Sequence, residues 1–227
     1  MIGAIIFDCD GVLVDSEVIA QDVETSMLGE IGLHYDRREF NVRFMGTSEA
    51  AFWESLEADG LARLGRSITG ELRAPLQARI RVAFRERLTE VPGAKAAVAS
   101  VRGLKAVASS SSSRALRVKL KRVGLWNAFA PHVYSADHVT HAKPAPDLFL
   151  HSAAMLHVPA SDCLVIEDSV NGVRAALAAG MRVWGFLGGG HHDEDSGPRL
   201  VDAGAERIVD DWPTAAALFQ QLDAVPR

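Results

Sequence analysis

The chain begins with a short run of apolar residues in which apolar and polar positions do not alternate. Residues 4–7 read AIIF, and the run stops at Asp8. A continuous apolar run of this length, bounded by polar residues, is typical of a strand buried on both faces of a sheet. The pattern therefore predicts a β-strand at residues 4–7 with an acidic residue at its carboxyl end.

Between residues 16 and 88 the apolar positions recur at helical intervals instead. The segment EVIAQDVETSMLGEIG keeps a helical period until Gly32, and glycine commonly ends helices. Two shorter segments, DRREFNVRFMG and SEAAFWESLEADG, predict further helices. The charged segment SITGELRAPLQARIRVAFRERLTE predicts a fourth helix that begins after Pro75. This part of the chain is therefore expected to be all helical.

After residue 93, short apolar runs alternate with amphipathic segments of helical period. The apolar runs are LKAVAS, HVYSA, CLVIEDS and MRVWGF, the helical segments are SRALRVKLKRVGL, DLFLHSAAMLHV and VNGVRAALAAG, and two weaker strand–helix pairs follow. Strands separated by helices of about 10–15 residues indicate βαβ units and a parallel sheet. The predicted fold class is α/β, with a doubly wound, Rossmann-like parallel-sheet core formed by residues 1–15 and 89–227. Residues 16–88 form an inserted α-helical domain.

Size and charge narrow the possible functions. The 227 residues, of which 48% are apolar and 23% charged, suit one large globular domain or two smaller ones. A net charge of −5 and a pI of about 5.9 give no basic field for nucleic acid. No apolar run reaches the roughly 18 residues of a membrane span. We therefore expect neither nucleic acid nor membrane as a partner.

The N-terminus and the cysteines give the expected compartment. The first apolar run has no basic leader before it, unlike a signal peptide. The two cysteines, Cys9 and Cys163, are too few for a disulfide framework and are expected to be reduced. These features predict a cytoplasmic protein.

Polar residues follow the predicted core strands. Asp8 and Asp10 come after the first strand, Ser109 ends the second, Lys143 lies beyond HVYSA, and Glu167-Asp168 end CLVIEDS. Ligands of open parallel sheets bind outside the carboxyl ends of the strands, so these side chains should meet. Crowded carboxylates repel one another unless they bind a cation or share protons, and oxygen-rich ligand sets suit Mg²⁺. The sequence therefore predicts a magnesium and phosphate site.

Four motifs at these strand ends resemble those of the haloacid dehalogenase superfamily. They are FDCDGVLVDSE, VASSS, HAKPAPDLF and VIEDSVNGVRAALAAGM, in the expected order. The resemblance spans nearly the whole chain. It is specific to the subfamily with a helical cap domain between the first two motifs, as in sugar-phosphate phosphatases and β-phosphoglucomutase. It implies that residues 16–88 are an α-helical cap domain inserted in the core.

The resemblance also implies the reacting groups. Asp8 would attack phosphorus and form an aspartyl-phosphate, which divides one difficult hydrolysis into two easier steps. Asp10 would protonate the leaving oxygen and then deprotonate the attacking water. Mg²⁺ would be held by the Asp8 carboxylate, the backbone carbonyl of Asp10, Asp168, and Glu167 either directly or through water.

Further residues are expected to hold the substrate. Ser109, the backbone N–H of Ser110 and Lys143 would bind phosphoryl oxygens, and Gly11 leaves room beside the site. In the cap domain, the segment NVRFMGTSE resembles the specificity loop of the subfamily. Its Gly46 would allow close approach to the active site. Its Arg43 would bind an anionic or polyhydroxyl group of the substrate. An exposed arginine on a helix face, without a role in binding, is an equal alternative.

The predicted activity is Mg²⁺-dependent hydrolysis of a small phosphomonoester, either a sugar phosphate or a related metabolite. Dehalogenases of the superfamily lack the second aspartate, and phosphonatases use a lysine of the cap domain, whereas residues 16–88 contain none. The mutase carries a histidine where this chain has Ile19 or Ala20. A β-phosphoglucomutase-like mutase and a non-catalytic binding protein remain the alternatives. We expect a small phosphorylated metabolite as partner and a monomer or weak homodimer.

Other polar residues have simpler interpretations. His191 and His192 lie in the segment GGGHHDEDSG and predict an exposed loop. The basic run RVKLKR at residues 117–122 predicts the solvated face of a core helix. The serines at 111–113 are expected to be solvated or to cap a helix, and Asp15 to act as a hinge residue.

Overall fold

The computed structural model describes residues 2–44 and 49–223. Its internal contacts divide the chain into two units. The core unit comprises Met1–Glu17 and Leu88–Arg227, and the helical unit comprises Val18–Arg87. None of the described helices is both long and apolar enough to cross a bilayer.

The helical unit is built from a series of helices, as the spacing of apolar residues predicts. In chain order they are α1 (Ser16–Glu30, whose first two residues belong to the core unit), α2 (Arg37–Phe44), α3 (Glu49–Asp59) and α4 (Thr69–Arg87). One π-helical turn, Gly60–Leu64, follows α3. Buried aromatic residues hold the unit together, with Phe40 and Phe44 4.9 Å apart between ring centroids.

The fourth helix begins earlier than the sequence predicts. Pro75 lies inside α4, six residues after its start at Thr69, although proline normally interrupts the helical hydrogen-bond ladder. The carboxylate of Glu57 accepts hydrogen bonds from the backbone N–H groups of Ile68 (3.1 Å) and Thr69 (2.9 Å). These bonds satisfy donors that a helix start leaves free, and they fix the start of α4 before the proline.

The core unit contains a six-stranded parallel sheet with the spatial order β3-β2-β1-β4-β5-β6. The strands are β1 (Ala4–Phe7), β2 (Leu104–Ser109), β3 (Val133–Ser135), β4 (Cys163–Glu167), β5 (Arg182–Phe186) and β6 (Arg207–Val209). This order confirms the predicted doubly wound α/β fold, and it reverses direction between β1 and β4.

Helices of the core unit lie along the chain between and after the strands. They are α5 (Ala94–Ser100), α6 (Ser113–Arg122), α7 (Trp126–Phe129), α8 (Asp147–Leu156), α9 (Val170–Ala178), α10 (Ser196–Asp202) and α11 (Trp212–Asp223). The apolar pattern did not predict α5, a short alanine-rich segment. Two strand–helix pairs are predicted after the loop that follows β5, where the described residues contain α10, then β6, then α11.

The central strand β1 is buried on both faces. Ile6 contributes to an apolar cluster that includes Phe149 of α8 and Val173 of α9. Phe7 packs against other aromatic rings, those of Phe129 (5.6 Å between centroids) and Trp212 (5.8 Å). Burial of both faces explains why residues 4–7 read as one unbroken apolar run.

Candidate active site

The register of the sheet brings three strand ends to one edge. Phe7 of β1 lies beside Val107 of β2 and Ile166 of β4. The backbone N–H of Asp8 donates to the carbonyl of Ile166 over 2.9 Å, so Asp8 continues the line of β1 by one residue. Asp8 therefore lies where the strand order reverses, the usual ligand position of this fold.

The Lys143 ammonium contacts three oxygen atoms at this edge of the sheet. Its Nζ lies 2.6 Å from Asp8 Oδ1, 2.7 Å from Glu167 Oε1 and 2.9 Å from the carbonyl oxygen of Ala108. The Lys143 side chain is only 5% exposed. Burial opposes its charge, but the two carboxylates outweigh burial and raise the pKa of Lys143. The sequence-predicted lysine is thus held as a buried cation.

The carboxylates at this edge outnumber the cations that face them. Burial raises the pKa of Asp8 well above its usual range, and Glu167 and Asp168 raise it further, although Lys143 opposes the rise. Burial likewise raises the pKa of Asp168, with the largest added contribution from Glu167. A bound cation would relieve this repulsion, and carboxylate oxygens are the ligands that Mg²⁺ prefers. The donor set therefore fits Mg²⁺.

Asp10 has a different environment, with a cation and several hydroxyls around its carboxylate. Oδ1 accepts from Ser16 Oγ over 2.5 Å and from Lys119 Nζ, and Oδ2 accepts from Ser111 Oγ over 2.9 Å and from Ser109 Oγ over 3.3 Å. Burial works against ionisation, but the Lys119 charge and these hydrogen bonds lower the pKa of Asp10. Asp10 is therefore stabilised as a carboxylate.

The position of Lys119 corrects the sequence analysis. The run at residues 117–122 is not solvated as a whole, because the Lys119 side chain is only 10% exposed and forms a salt bridge with Asp10. Its Nζ also donates to Ser111 Oγ over 3.0 Å. Arg117 and Lys121 of the same run are exposed, as expected. One signal was available, since Lys119 follows the buried Leu116 by three residues, which places the two on one face of the helix.

The serines after β2 have separate positions. Ser109 is buried at the strand end and Ser110 follows it at an exposed position. Ser112 caps α6, as expected, by accepting from the backbone N–H of Ala115. Ser111 was expected to be solvated or capping, and this was wrong because its hydroxyl contacts Asp10.

Glu167 is oriented by the start of the helix that follows it. Its Oε2 accepts from the backbone N–H and from the hydroxyl of Ser169, both over 2.9 Å, and Ser169 caps α9 by accepting from Gly172 N–H over 3.0 Å. A Cβ on Gly172 would come within 1.8 Å of Glu167 Oε1. The acidic motif therefore needs a serine and a glycine at these two positions to place Glu167.

Asp168 faces Gly11 and His191. A Cβ on Gly11 would lie 1.8 Å from Asp168 Oδ2, so only glycine leaves room for this carboxylate, and the φ of Gly11 is +73°. His191 Nε2 lies 3.2 Å from the same oxygen. The expectation of an exposed histidine loop was wrong, because His191 is 7% exposed and His192 is half-buried.

The remaining predicted residues have the following places. Arg43 forms a salt bridge with Asp59 inside the helical unit, and its guanidinium lies over the Phe44 ring. Gly46 lies outside the described residues. Asp15 ties two loops of the core unit, since its N–H donates to the carbonyl of Thr89 over 3.1 Å and its Oδ1 accepts from Gly190 N–H over 3.1 Å.

Comparison with known proteins adds a family. Residues 2–180 match the model of the haloacid dehalogenase-like hydrolases. The chain is 31% identical over 215 residues to a phosphorylated carbohydrates phosphatase of Thermotoga maritima, with 91% of this chain and 93% of that protein covered. It is 36% identical over 190 residues to SUPPRESSOR OF QUENCHING 1, a chloroplastic protein of Arabidopsis thaliana. That alignment covers 80% of this chain but only 17% of the plant protein.

A solved structure resembles the chain over its full length. The crystal structure of a HAD family hydrolase from Deinococcus radiodurans, with bound phosphate and sodium, is 32% identical. It superposes with a TM-score of 0.85 and covers 100% of this chain and 99% of that one.

Proposed function

The chain belongs to the haloacid dehalogenase-like hydrolase family and is a phosphatase, and on that premise we propose that it hydrolyses small phosphorylated carbohydrates with Mg²⁺ through an aspartyl-phosphate on Asp8. The main support is the contact of buried Lys143 with Asp8 and Glu167 at the point where the strand order reverses. The Thermotoga maritima relative, named for phosphorylated carbohydrates, supports the proposed substrate class.

Asp8 is suited to attack phosphorus. Its buried carboxylate accepts from Lys143 through Oδ1, which orients the side chain and favours the ionised, nucleophilic form. In the first step an Asp8 oxygen bonds to phosphorus, and the bond from phosphorus to the ester oxygen breaks. Lys143 contacts the nucleophile and Ser109 contacts Asp10, and both would bind the phosphoryl oxygens.

Asp10 is suited to move the proton in both steps. In the first step the Asp10 carboxyl gives its proton to the departing ester oxygen. The negative phosphoryl group of a bound ester would favour this protonated form by charge repulsion. In the second step Asp10, ionised again, takes a proton from the water that attacks the aspartyl-phosphate, and inorganic phosphate leaves. Lys119, Ser16 and Ser111 stabilise that ionised form and fix its orientation.

Mg²⁺ would complete the charge balance of the site. The Asp8 carboxylate, the Asp10 backbone carbonyl, Asp168 and Glu167 would hold it, and the bound ion would screen the repulsion between a carboxylate nucleophile and an anionic ester. The raised pKa values of Asp8 and Asp168 fit this role, because burial and the neighbouring carboxylates disfavour the ionised forms that a bound cation would stabilise.

A phosphate-release assay tests the proposal. The purified protein is incubated with a panel of aldose, ketose and sugar-acid phosphates, each with Mg²⁺ and with EDTA, and the substrates are ranked by kcat/KM. We expect Mg²⁺-dependent release of inorganic phosphate from several members of the panel. No release from any of them would refute the proposal and favour a non-catalytic binding protein.

The mutase alternative needs a separate measurement. A hexose 1-phosphate is supplied with a catalytic amount of hexose bisphosphate, and the positional isomer is followed by ³¹P NMR. Ile19 and Ala20 are apolar where the mutase carries a histidine, so we expect free phosphate rather than isomer. Isomer formation faster than phosphate release would assign the mutase activity instead.

A further inference from the structure

The loop after β5 carries two adjacent histidines whose surroundings the phosphatase chemistry does not require. His191 and His192 have ring centroids 3.9 Å apart and an interplanar angle of 41°, so the two rings lie side by side. One donor atom from each ring and one carboxylate oxygen of Asp168 all lie within 4.8 Å of one another. Two imidazoles and a carboxylate therefore converge on one small volume.

The loop is fixed in place by its neighbours. Asp15 accepts from the N–H of Gly190, which ties the histidine loop to the loop after β1. A Cβ on Gly189 would lie 2.6 Å from the carbonyl oxygen of Gly11 and 2.9 Å from His191 Nδ1. The lack of a side chain on Gly189 therefore permits the close contact of these two loops. His191 lies against Asp168 rather than extending into solvent.

His192 has a ring nitrogen that could coordinate a metal ion. It donates a hydrogen bond to the backbone of Phe186, while its Nε2 is buried with no hydrogen-bond partner among the described residues. A buried nitrogen without a partner is costly, which is a reason to look for what it binds. Imidazole binds metals in its neutral form, through a ring nitrogen of this kind.

The donor set differs in kind from that of the magnesium site. Imidazole nitrogens suit Zn²⁺, Co²⁺ and related ions, whereas Mg²⁺ prefers oxygen. A tetrahedral ion with ligands at about 2.0–2.1 Å needs donors about 3.3–3.5 Å apart. The 3.2 Å between His191 Nε2 and Asp168 Oδ2 is close to this spacing, and the donor atom of His192 lies within 4.8 Å of both residues' donor atoms.

We propose that Asp168, His191 and His192 form a second divalent-cation site, specific for Zn²⁺, Co²⁺ and similar ions. Asp168 belongs to both ligand sets, so an ion held by the two histidines withdraws this carboxylate from Mg²⁺. Occupation of the histidine site therefore inhibits the phosphatase, a consequence that rests on the proposed function. Binding itself does not depend on it.

Cobalt spectroscopy tests binding without any enzyme assay. The protein is stripped with EDTA, desalted and titrated with Co²⁺ while the visible spectrum is recorded. We expect the strong d–d bands of a four-coordinate ion with nitrogen ligands, saturating at one Co²⁺ per chain, and displacement by Zn²⁺. The oxygen-rich magnesium site would give only the weak bands of a six-coordinate ion. Weak bands alone would overturn the proposal.

Two variants make the assignment specific. His192→Gln should weaken Co²⁺ binding at least tenfold, whereas His34→Gln, which alters an exposed histidine of the helical unit, should leave the titration unchanged. Equal binding by both variants would refute the site. Zinc K-edge absorption on the wild-type protein provides a test that needs no variant, with two imidazole ligands expected and an all-oxygen shell contradicting the proposal.

Inhibition separates this inference from the proposed function. With Mg²⁺ present, Zn²⁺ should inhibit wild-type phosphate release, and His192→Gln should raise the half-inhibiting Zn²⁺ concentration at least tenfold while keeping the uninhibited rate. An unchanged half-inhibiting concentration would refute the shared-ligand site. A protein that binds Co²⁺ as expected but releases no phosphate would refute only the proposed function.

Discussion

The helical unit and the strand-end edge of the core unit use acidic side chains in opposite ways. In the helical unit, carboxylates face arginines at the surface, as in the pairs Glu49–Arg73 (2.7 Å) and Glu30–Arg79 (2.6 Å). Such exposed pairs contribute little individually and carry no unbalanced charge. At the edge of the core sheet the carboxylates are buried: Asp8 and Glu167 face Lys143, Asp10 faces Lys119, and Asp168 faces His191.

The pKa values of two carboxylates, Glu57 and Asp8, show this contrast. Hydrogen bonds from Ser67, Thr69 and Ile68 lower the pKa of Glu57, in the helical unit, to about 2. Burial and neighbouring carboxylates raise the pKa of Asp8 well above its usual range. Folding therefore favours the charge on Glu57 and opposes the charge on Asp8. A carboxylate such as Asp8, whose ionised form destabilises the fold, is typical of a ligand site. A carboxylate such as Glu57, whose ionised form stabilises a helix start, has a structural role.

The sharpest test of this contrast is removal of the Asp8 charge. Asp8→Asn should lower kcat by about 10³-fold or more, because no covalent intermediate can form readily, while the fold is kept. We expect a melting temperature within a few degrees of wild type, measured without metal beside the phosphate-release rate. A variant that keeps one tenth of the activity would show that Asp8 is not the nucleophile.

The Lys119 salt bridge gives the next largest expected effect. Lys119→Met should lower kcat by about 10- to 100-fold with little change in KM, because Asp10 loses the cation that orients and ionises it. Without that cation the pKa of Asp10 rises, so the acidic limb of the pH–kcat profile should move to higher pH. Lys121→Met, which changes an exposed lysine of the same helix, is the control and should match wild type. An unshifted profile would argue that Lys119 only packs.

Magnesium should stabilise the core in a pH-dependent way. The raised pKa values of Asp8 and Asp168 mean that their ionised forms destabilise the metal-free fold, increasingly as pH rises above the ordinary carboxyl range. At pH 7.5, Mg²⁺ at about 100 times its Kd should add about 2.7 kcal/mol, or roughly 5–10 °C in Tm. At pH 5 the gain should be smaller, since protons compete for the same oxygens. Differential scanning fluorimetry with EDTA controls measures both, and equal gains would contradict the shared carboxylates.

The smallest expected effect lies in the helical unit. Glu57→Gln should lower Tm by a few degrees at pH 7, because the charged acceptor at the start of α4 is lost. The lowered pKa means that this stabilisation is present above the usual glutamate range and disappears as pH falls towards 2. The difference between variant and wild type should therefore shrink at pH 3. A large loss of kcat in this variant would contradict the assignment of Glu57 as a structural rather than a catalytic carboxylate.

Much of the fold and part of the site were predictable from local patterns. The strand at residues 4–7, the alternation after residue 93 and the helical insertion follow from short-range periodicity, which depends on the chain's own backbone geometry. The start of α4 did not follow, because it depends on Glu57, which lies in a different helix. The sequence shows Pro75, but it does not show that the Glu57 carboxylate accepts hydrogen bonds from the backbone where α4 begins.

The candidate site divides in the same way. The order of residues along the chain predicts that acidic residues, a serine and a lysine follow successive strands, and parallel strands bring such ends to one edge. In contrast, the contact of Lys119 with Asp10, 109 residues away in the chain, and that of His191 with Asp168 depend on the folded arrangement of the chain. The physical reason is that burial and charge pairing depend on which distant groups share a volume. A lysine on a helix or a histidine in a glycine-rich loop has the same sequence signature whether it faces water or a carboxylate.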